Sequence, residues 1–145
     1  MKLHLLLFLP ILFGCDNGND IVNIPDANFK IYLVGNTAIN TNGDKEIQVS
    51  EASTFTDAID LFDLNISNLK GIEAFTALTK LDCSDNQLTS LDVSKNTALT
   101  YLDCGKNQLT SLNIYNNEAL STLSCEHNQF DCEPLIERVL QLHPW

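Results

Sequence analysis

Residues 78–130 read LTKLDCSDNQLTSLDVSKNTA, then LTYLDCGKNQLTSLNIYNNEA, then LSTLSCEHNQF, so one phrase is written almost three times. The leucine that opens each copy recurs at a constant interval, and so do a cysteine and an asparagine further on. These letters are Leu78, Leu99 and Leu120, then Cys83, Cys104 and Cys125, and then Asn86, Asn107 and Asn128. A fixed period of this length predicts a solenoid, in which each repeat is one coil that buries its apolar face against its neighbours.

The spacing within each copy predicts one short strand per coil. Leu81, Asp82 and Cys83 alternate between apolar and polar, which indicates a strand whose equivalents in the next coils pair with it in parallel, ~4.8 Å apart. A degenerate earlier coil aligns Ile59 with Leu81, so residues 57–130 hold about three and a half coils. The convex side is rich in Ser, Asn and Thr, and we expect extended or turn-like segments there rather than full helices.

This pattern resembles the leucine-rich repeat family, whose asparagine position is occupied here by Asn86, Asn107 and Asn128. A buried amide there can satisfy backbone groups of the turn that the coil cannot pair itself. Each unit also contains a shorter internal repeat, which we call the echo: LTKLDCSDN is followed by LTSLDVSKN. This similarity predicts that Val93 and Ile114 face inward. The resemblance implies an α+β solenoid: a short leucine-rich repeat with parallel strands on its concave face, a helical N-terminal cap and a C-terminal capping helix.

The cysteine column invites a metal or redox interpretation. Zinc needs four ligands that converge on one point, whereas residues one full period apart, on successive coils, point the same way. We therefore interpret Cys83, Cys104 and Cys125 as small buried hydrophobes. The state of Cys132, which lies outside the column, stays open.

Residues 1–14 have the pattern of a secretory signal: one lysine, a short apolar run and a glycine before Cys15. The segment resembles a bacterial lipoprotein signal, which implies cleavage before Cys15 and lipidation of its sulfur. Residues 15–23 would then be a lipid-anchored tether that holds the protein at a membrane. The alternatives are an ordinary signal peptide with an incidental cysteine, or a buried core helix.

Residues 24–56 are predicted to form a helix–loop–helix module that caps the first coil. Asp26 is a plausible N-cap for a helix over residues 27–34, which has an apolar stripe that includes Ile31. A second short helix is expected over residues 51–55.

The loop between these helices resembles the calcium loop of helix–loop–helix proteins. The candidate ligands are Asn40, Asn42, Asp44, Glu46 and Glu51. A hard cation needs six or more converging oxygens, but Asn40 replaces an aspartate here and Lys45 stands where a glycine is expected. The prediction is a weak Ca²⁺ site. The alternative is a turn held by Asx hydrogen bonds, with Ile47 and Val49 in the core.

Residues 131–145 change character and predict a helix that covers the last coil. Pro134 suits a first helical position, and Trp145 is expected to pack back on the helix. The apolar face comprises Leu135, Ile136, Val139, Leu140 and Leu142. The alternative is an amphipathic helix that binds a partner.

The outward residues of the strands are the candidate binding surface, because this is the usual recognition face of the family that the repeats resemble. The predicted set is Lys80, Asp82, Tyr101, Asp103, Thr122, Ser124 and Glu126. Tyr101 is the aromatic anchor of this set, since tyrosine is common at interface centres.

Charge and motifs exclude several functions. A net charge of −11 disfavours nucleic acid, whose phosphates need Lys and Arg. The chain has no G-x-S-x-G, H-E-x-x-H or phosphate-binding glycine loop, so we expect no enzyme activity.

The chain looks like leucine-rich repeat lipoproteins of Bacteroidetes-type bacteria. This implies an outer-membrane, surface-exposed envelope protein that binds protein, peptide or glycan. The alternative is a structural or assembly lipoprotein with a calcium-binding cap.

Overall fold

A computed structural model describes residues 20–143 as three helices and four short strands. In chain order these are α1 (Ala27–Gly35), α2 (Val49–Thr54), β1 (Ala58–Asp60), β2 (Lys80–Asp82), β3 (Tyr101–Asp103), β4 (Thr122–Ser124) and α3 (Glu133–Leu142). A 3₁₀ turn, Ile72–Ala74, lies between β1 and β2. Within residues 20–143, none of the helices is long and apolar enough to span a bilayer. The predicted signal, Cys15 and Trp145 lie outside the described residues.

The four strands form one parallel sheet in chain order, as the repeat predicts. Ile59 pairs with Leu81, Leu81 with Leu102, and Leu102 with Leu123. The last two of these steps equal the interval from Leu78 to Leu99, and the first is longer by a single position, so the sequence period is the length of one coil. Equivalent residues of successive coils therefore stand side by side, and the sheet is a leucine-rich repeat solenoid.

One continuous core runs along the inside of the solenoid. Leu81 and Leu102 are fully buried on the strand side, and Val93 and Ile114 are buried on the second side, as predicted. The convex segments after β2 and β3 are turns and extended chain. Their Ser, Asn and Thr residues give side-chain hydrogen bonds that compete with helix formation.

Asn107 shows how the predicted asparagine ladder works. Its Nδ2 donates to the backbone oxygens of Cys83, Cys104 and Gly105, at 3.0, 3.1 and 3.2 Å. Its Oδ1 accepts from the backbone nitrogen of Leu88 at 2.9 Å. One buried amide thus joins two coils through hydrogen bonds to backbone groups of both. Asn86 and Asn128 bond in the same way.

A second ladder on the convex side was not predicted. Asn96 Nδ2 donates to the backbone oxygens of Ile72 and Phe75, and Asn117 Nδ2 donates to those of Val93 and Asn96. Both asparagines are buried, and the Oδ1 atom of each has no hydrogen-bond partner in the structure. The triplets SKN and YNN, which end at Asn96 and Asn117, recur with the period of the repeat, and this was a signal that could have identified the ladder.

The N-terminal segment is joined to the first coil by polar contacts. Asp26 caps α1 as predicted, because its Oδ1 accepts from the backbone nitrogens of Asn28 and Phe29. Its Oδ2 accepts from the Ser67 backbone nitrogen and hydroxyl and from the Asn68 backbone nitrogen. One carboxylate therefore ties the start of α1 to the first coil.

Several N-terminal boundaries differ from the sequence prediction. Helix α2 begins at Val49 rather than Glu51, because Gln48 and Glu51 form a capping box. Val49 is 41% exposed and lies outside the core, and Ile31 on α1 is 70% exposed. Residues 20–23, which the sequence assigned to the tether, are part of the fold, since Val22 is buried and Ile21 pairs with Gln48.

The C-terminal segment contains a disulfide that the sequence interpretation missed. Cys125, expected to be a free buried thiol, is bonded to Cys132, with their Cα atoms 5.7 Å apart. The chain turns back after the last coil, which brings these residues together. Helix α3 then packs beside β4 and buries Val139, whereas Leu140 and Leu142 of the predicted apolar face are 52% and 37% exposed.

Candidate functional site: the outer face of the strands

The outward side chains of the sheet form two parallel rows, which we call the strand face. The strand register places Ala58, Lys80, Tyr101 and Thr122 in the first row, and Asp60, Asp82, Asp103 and Ser124 in the second. The structure thus brings together six of the seven residues predicted as the binding surface. The seventh, Glu126, follows β4 and accepts from the Ser124 hydroxyl at 3.1 Å.

The three aspartates of the second row share one hydrogen-bonding pattern. Asp60, Asp82 and Asp103 each accept, through Oδ1, from the backbone nitrogen two residues further on, at 3.1, 3.0 and 2.9 Å. These bonds hold the three carboxylates in equivalent positions, where neighbouring strands lie ~4.8 Å apart. No hydrogen bond reaches their Oδ2 atoms within residues 20–143, so each carboxylate keeps one oxygen for a partner.

Tyr101 lies half-buried beside this aspartate row. Burial raises the pKa of its phenol, and the negative charges of Asp103, Asp82 and Asp60 raise it further. A shallow depression of about 290 Å³ next to Tyr101 is lined by Ala58, Ile59, Asp60, Lys80 and Asp82. The phenol is therefore neutral at physiological pH and presents both an apolar ring and a hydroxyl to this depression.

The residues that follow the strands form a rim along one border of the strand face. The rim consists of Phe62, Asp63, Ser84, Asp85, Gly105, Lys106, Glu126 and His127. A second depression, of about 260 Å³, is lined by most of these residues together with Asp103 and Ser124. Lys106 Nζ lies 2.7 Å from Asp85 Oδ2, and Phe62 is 52% exposed.

Asp60 and Phe62 are the surface residues that the sequence analysis missed. They precede Asp82 and Ser84 by the same interval that separates Ile59 from Leu81, so the alignment that placed Ile59 could have identified both. Ser84, which follows β2, is buried, and its hydroxyl donates to Asp82 Oδ1 at 2.6 Å.

The two cysteines of the column that remain free thiols are shielded from solvent. Cys83 and Cys104 are free and buried. Burial raises the pKa of Cys83 and brings that of Cys104 to about 12, with nearby carboxylates adding to both shifts. The thiolate is the reactive and metal-binding form, and burial disfavours it at both positions. Cys83 and Cys104 are buried in the core as predicted, and so is Cys125, which differs only in being bonded to Cys132.

Glu51 in the calcium-like loop uses both carboxylate oxygens within the protein. Its Oε1 accepts from the Thr41 backbone nitrogen and hydroxyl and from the Asn42 backbone nitrogen, and its Oε2 accepts from the Gln48 backbone nitrogen. Burial opposes ionisation of Glu51, but these donors together lower its pKa. Glu51 therefore acts as an anion that closes the loop.

The other predicted ligands also have protein partners. Asp44 Oδ2 accepts from the side-chain amides of Asn42 and Gln48, Asn40 donates to Asp44 O and Val34 O, and Glu46 pairs with Lys30. Amide hydrogens thus point at the carboxylate that a cation would use. In residues 20–143, no group of three or more His, Cys, Asp or Glu is placed to hold a metal ion.

The geometry matches the alternative of a turn held by Asx hydrogen bonds, with Ile47 but not Val49 in the core. Calcium binding stays a prediction. Calorimetric titration of the wild type and of Glu51→Ala with Ca²⁺ tests it, and the absence of heat from the wild type removes it.

Comparison with known proteins finds similarity to internalins. No family model matches the chain. A stretch of 72 residues, half of the chain, is 37% identical to internalin J of Listeria monocytogenes serotype 4b (strain F2365). The chain spans only 8% of the length of that relative.

Two solved structures have the same fold over most of this chain. The functional domain of InlJ from Listeria monocytogenes, described as including a cysteine ladder, matches 72% of the chain with a TM-score of 0.62 and 38% identity. An internalin (inlF) from Listeria monocytogenes strain 4b F2365 matches 77% with a TM-score of 0.66 and 24% identity. The chain covers 22% and 33% of those chains. The chain is thus similar in sequence and fold to internalins, and its fold is that of a leucine-rich repeat protein.

Proposed function

We propose that the chain is a protein-interaction module whose strand face docks onto a protein partner in the cell envelope. The observation that carries this proposal is the pairing of a regular repeat scaffold with an irregular outer surface. The same buried residue types recur from coil to coil. By contrast, Lys80, Tyr101 and Thr122 occupy equivalent outward positions on successive strands and are three different residue types. The internalin relationship supports, at the level of the family, an interaction protein and not an enzyme.

The strand face has the mixed character of an interaction surface. Tyr101 and the half-exposed Phe62 supply aromatic area, and aromatic residues are enriched where binding energy concentrates. Four short strands offer less than a standard footprint of about 800 Å² per partner. We therefore expect modest affinity for a protein or an extended peptide, and a glycan remains a further candidate ligand.

An envelope location fits two observations. Residues 1–14 have the signal pattern, with a lipidation cysteine at Cys15. The Cys125–Cys132 disulfide supports export, because disulfides persist in oxidising compartments outside the cytosol. We propose that the protein is anchored in the outer membrane through lipidated Cys15, with its solenoid at the cell surface. This Bacteroidetes-type lipoprotein assignment rests on the sequence resemblance.

Affinity capture from envelope and host extracts tests the binding proposal. The wild type is compared with Tyr101→Ala on the strand face and with Tyr115→Ala, a matched variant at an exposed tyrosine off that face (69% exposed). A partner lost only with Tyr101→Ala is the expected result. If every partner survives Tyr101→Ala in a folded protein, or if the chain captures only copies of itself, the proposal fails and the assembly alternative gains support.

Labelling cells with a fatty-acid analogue tests the anchor. The wild type should incorporate the label and partition with membranes, and Cys15→Ser should do neither. An unlabelled wild type that is secreted would contradict the lipoprotein assignment and leave the interaction proposal intact.

A further inference from the structure

The strand face and its rim carry far more negative than positive charge. The carboxylates are Asp60, Asp63, Asp82, Asp85, Asp103 and Glu126, and the cations are Lys80 and Lys106. The positive charge of Lys106 is already paired with Asp85. Lys106 also lies in the field of Asp103 and Asp63, and Lys80 forms no ion pair within residues 20–143. Two cations therefore stand against six carboxylates. This side of the molecule is a negative surface that the fold itself does not neutralise.

The aspartate row is built in a fixed order and is not a random consequence of an acidic composition. Strand pairing aligns Asp60, Asp82 and Asp103, and the Oδ1 hydrogen bonds hold each carboxylate in place. Like charges on neighbouring strands repel one another. A cationic partner would relieve this repulsion, and it would meet carboxylates that need no reorganisation.

The two aromatic side chains narrow the chemistry of the partner. Tyr101 adjoins the aspartate row, and the half-exposed Phe62 lies beyond Asp60 on the rim. A guanidinium or ammonium group is attracted to an aromatic face, and arginine also binds carboxylates through two parallel hydrogen bonds. A surface with a carboxylate row between two aromatics therefore complements arginine and lysine side chains.

We propose that the strand face docks a cationic segment of a partner protein, rich in arginine and lysine, along the row Asp60–Asp82–Asp103. This inference rests on the proposed function and specifies the partner by its charge. The basic side chains pair with the three carboxylates, and their hydrophobic stems lie against Tyr101 and Phe62. Lys80 opposes such a partner and limits its affinity.

Fluorescence anisotropy with three labelled synthetic peptides tests the inference on this chain. The peptides have the same length, about twelve residues, enough to cross the sheet in extended form. One alternates Arg and Lys with Ser and Gly, one replaces each basic residue with Glu, and one with Gln. We expect binding of the cationic peptide alone, weakened by added salt because the charges are exposed.

Variants that remove either negative or positive charge from the strand face make the test specific to that face. Asp82→Asn with Asp103→Asn keeps side-chain shape and the Oδ1 acceptors, and should weaken binding about tenfold. Glu118→Gln with Glu137→Gln removes the same net charge at exposed positions off that face and should leave binding unchanged. Lys80→Gln should strengthen it.

The possible outcomes separate this inference from the proposed function. No binding of the cationic peptide, or equal weakening by both double variants, would overturn the cationic-partner inference. If capture nevertheless yields a partner that is lost with Tyr101→Ala and bound more weakly by Lys80→Gln, the interaction module stands and its partner is anionic. If Tyr101→Ala loses no partner and no peptide binds, both proposals fail.

Discussion

The two ends of the sheet are held differently. Hydrogen bonds join the N-terminal segment to the first coil, whereas a disulfide joins the C-terminal segment to the last coil. Asp26 and Tyr32 make the first connection, because Asp26 accepts from the first coil and the Tyr32 hydroxyl accepts from the Asp60 backbone nitrogen at 3.1 Å. The Cys125–Cys132 bond makes the second, followed by α3 beside β4.

This difference makes the two ends sensitive to different conditions. A solenoid coil is stabilised by its neighbours, so the terminal coils depend on what lies beyond them. At the N-terminal end that support depends on the charge of a carboxylate and therefore responds to acid. At the C-terminal end it depends on a disulfide and therefore responds to reductant. Each end can thus be loosened while the other serves as an internal control.

Breaking the disulfide should have the largest effect. Reduction, or Cys132→Ser, should lower the free energy of unfolding by about 2–3 kcal/mol, because it restores the unfolded-state entropy that a short cross-linked loop removes. Chemical denaturation measures this change, and hydrogen exchange should show faster exchange in α3 and β4 while α1 is unchanged. Reduction with no effect on either measurement would contradict the fastening role. Cys83 and Cys104 are already thiols, so reductant does not alter them.

Replacing Asp26 should have a similar but smaller effect at the other end. Asp26→Ala should cost about 2 kcal/mol, since it removes a helix cap and the charged acceptor for three donors of Ser67 and Asn68. Asp26→Asn retains a capping oxygen and should cost less. Denaturation measures both values, and the increase in hydrogen exchange should be confined to α1 and the turn around Ser67. Faster exchange at α3 alone would refute this assignment.

Acid should weaken the N-terminal end before the C-terminal end. Burial opposes ionisation of Asp26 and Glu51, but the hydrogen bonds that each accepts outweigh it and lower both pKa values, from 3.8 and 4.5. Their stabilising contribution is therefore complete above those ordinary values and is lost as the pH falls through the lowered pKa values of the folded state. Hydrogen exchange across this pH range should show α1 loosening before α3, and Asp26→Asn should reduce the dependence. Equal loosening of both helices would contradict the comparison.

Removing the Tyr32 hydroxyl should have the smallest effect. Tyr32→Phe leaves the Asp60 backbone nitrogen without its acceptor, which should cost about 1 kcal/mol or less because Asp60 is exposed and water can replace the hydroxyl. Tyr115→Phe is the control, because Tyr115 lies far from α1 in the sequence and its ring contacts Arg138 of α3. Equal losses from the two variants, measured by denaturation, would remove Tyr32 from the N-terminal connection.

The repeat carried most of the fold prediction because the period that it displays is also the geometry of one coil. The alternation around Leu81 located the strands, and Asn86, Asn107 and Asn128 located the first ladder. The missed residues lay where the pattern is degenerate or short: Asp60 and Phe62 precede the readable copies, and Asn117 belongs to an echo that appears only twice.

At the two ends of the chain, the sequence lacked information about tertiary contacts. The repeat correctly placed Cys125 inside the solenoid. Whether it forms a disulfide depends on whether the chain after the last coil brings Cys132 close to it, and the sequence pattern carries no signal for that turn. The calcium-like spacing of Asp44 and Glu51 was correctly read, but spacing does not say which donors occupy their oxygens. Backbone nitrogens and the Gln48 amide occupy them here.

The sequence by itself determined the solenoid, the inward columns and the row of outward positions, because local periodicity dictates which side chains face the core. Only the tertiary structure decided how those outward residues combine. Asp60, Asp82 and Asp103 come from three different coils and become one charged row only when the strands pair in register. The Asp26 connection and the Cys125–Cys132 bond likewise depend on segments that meet only after the chain has folded.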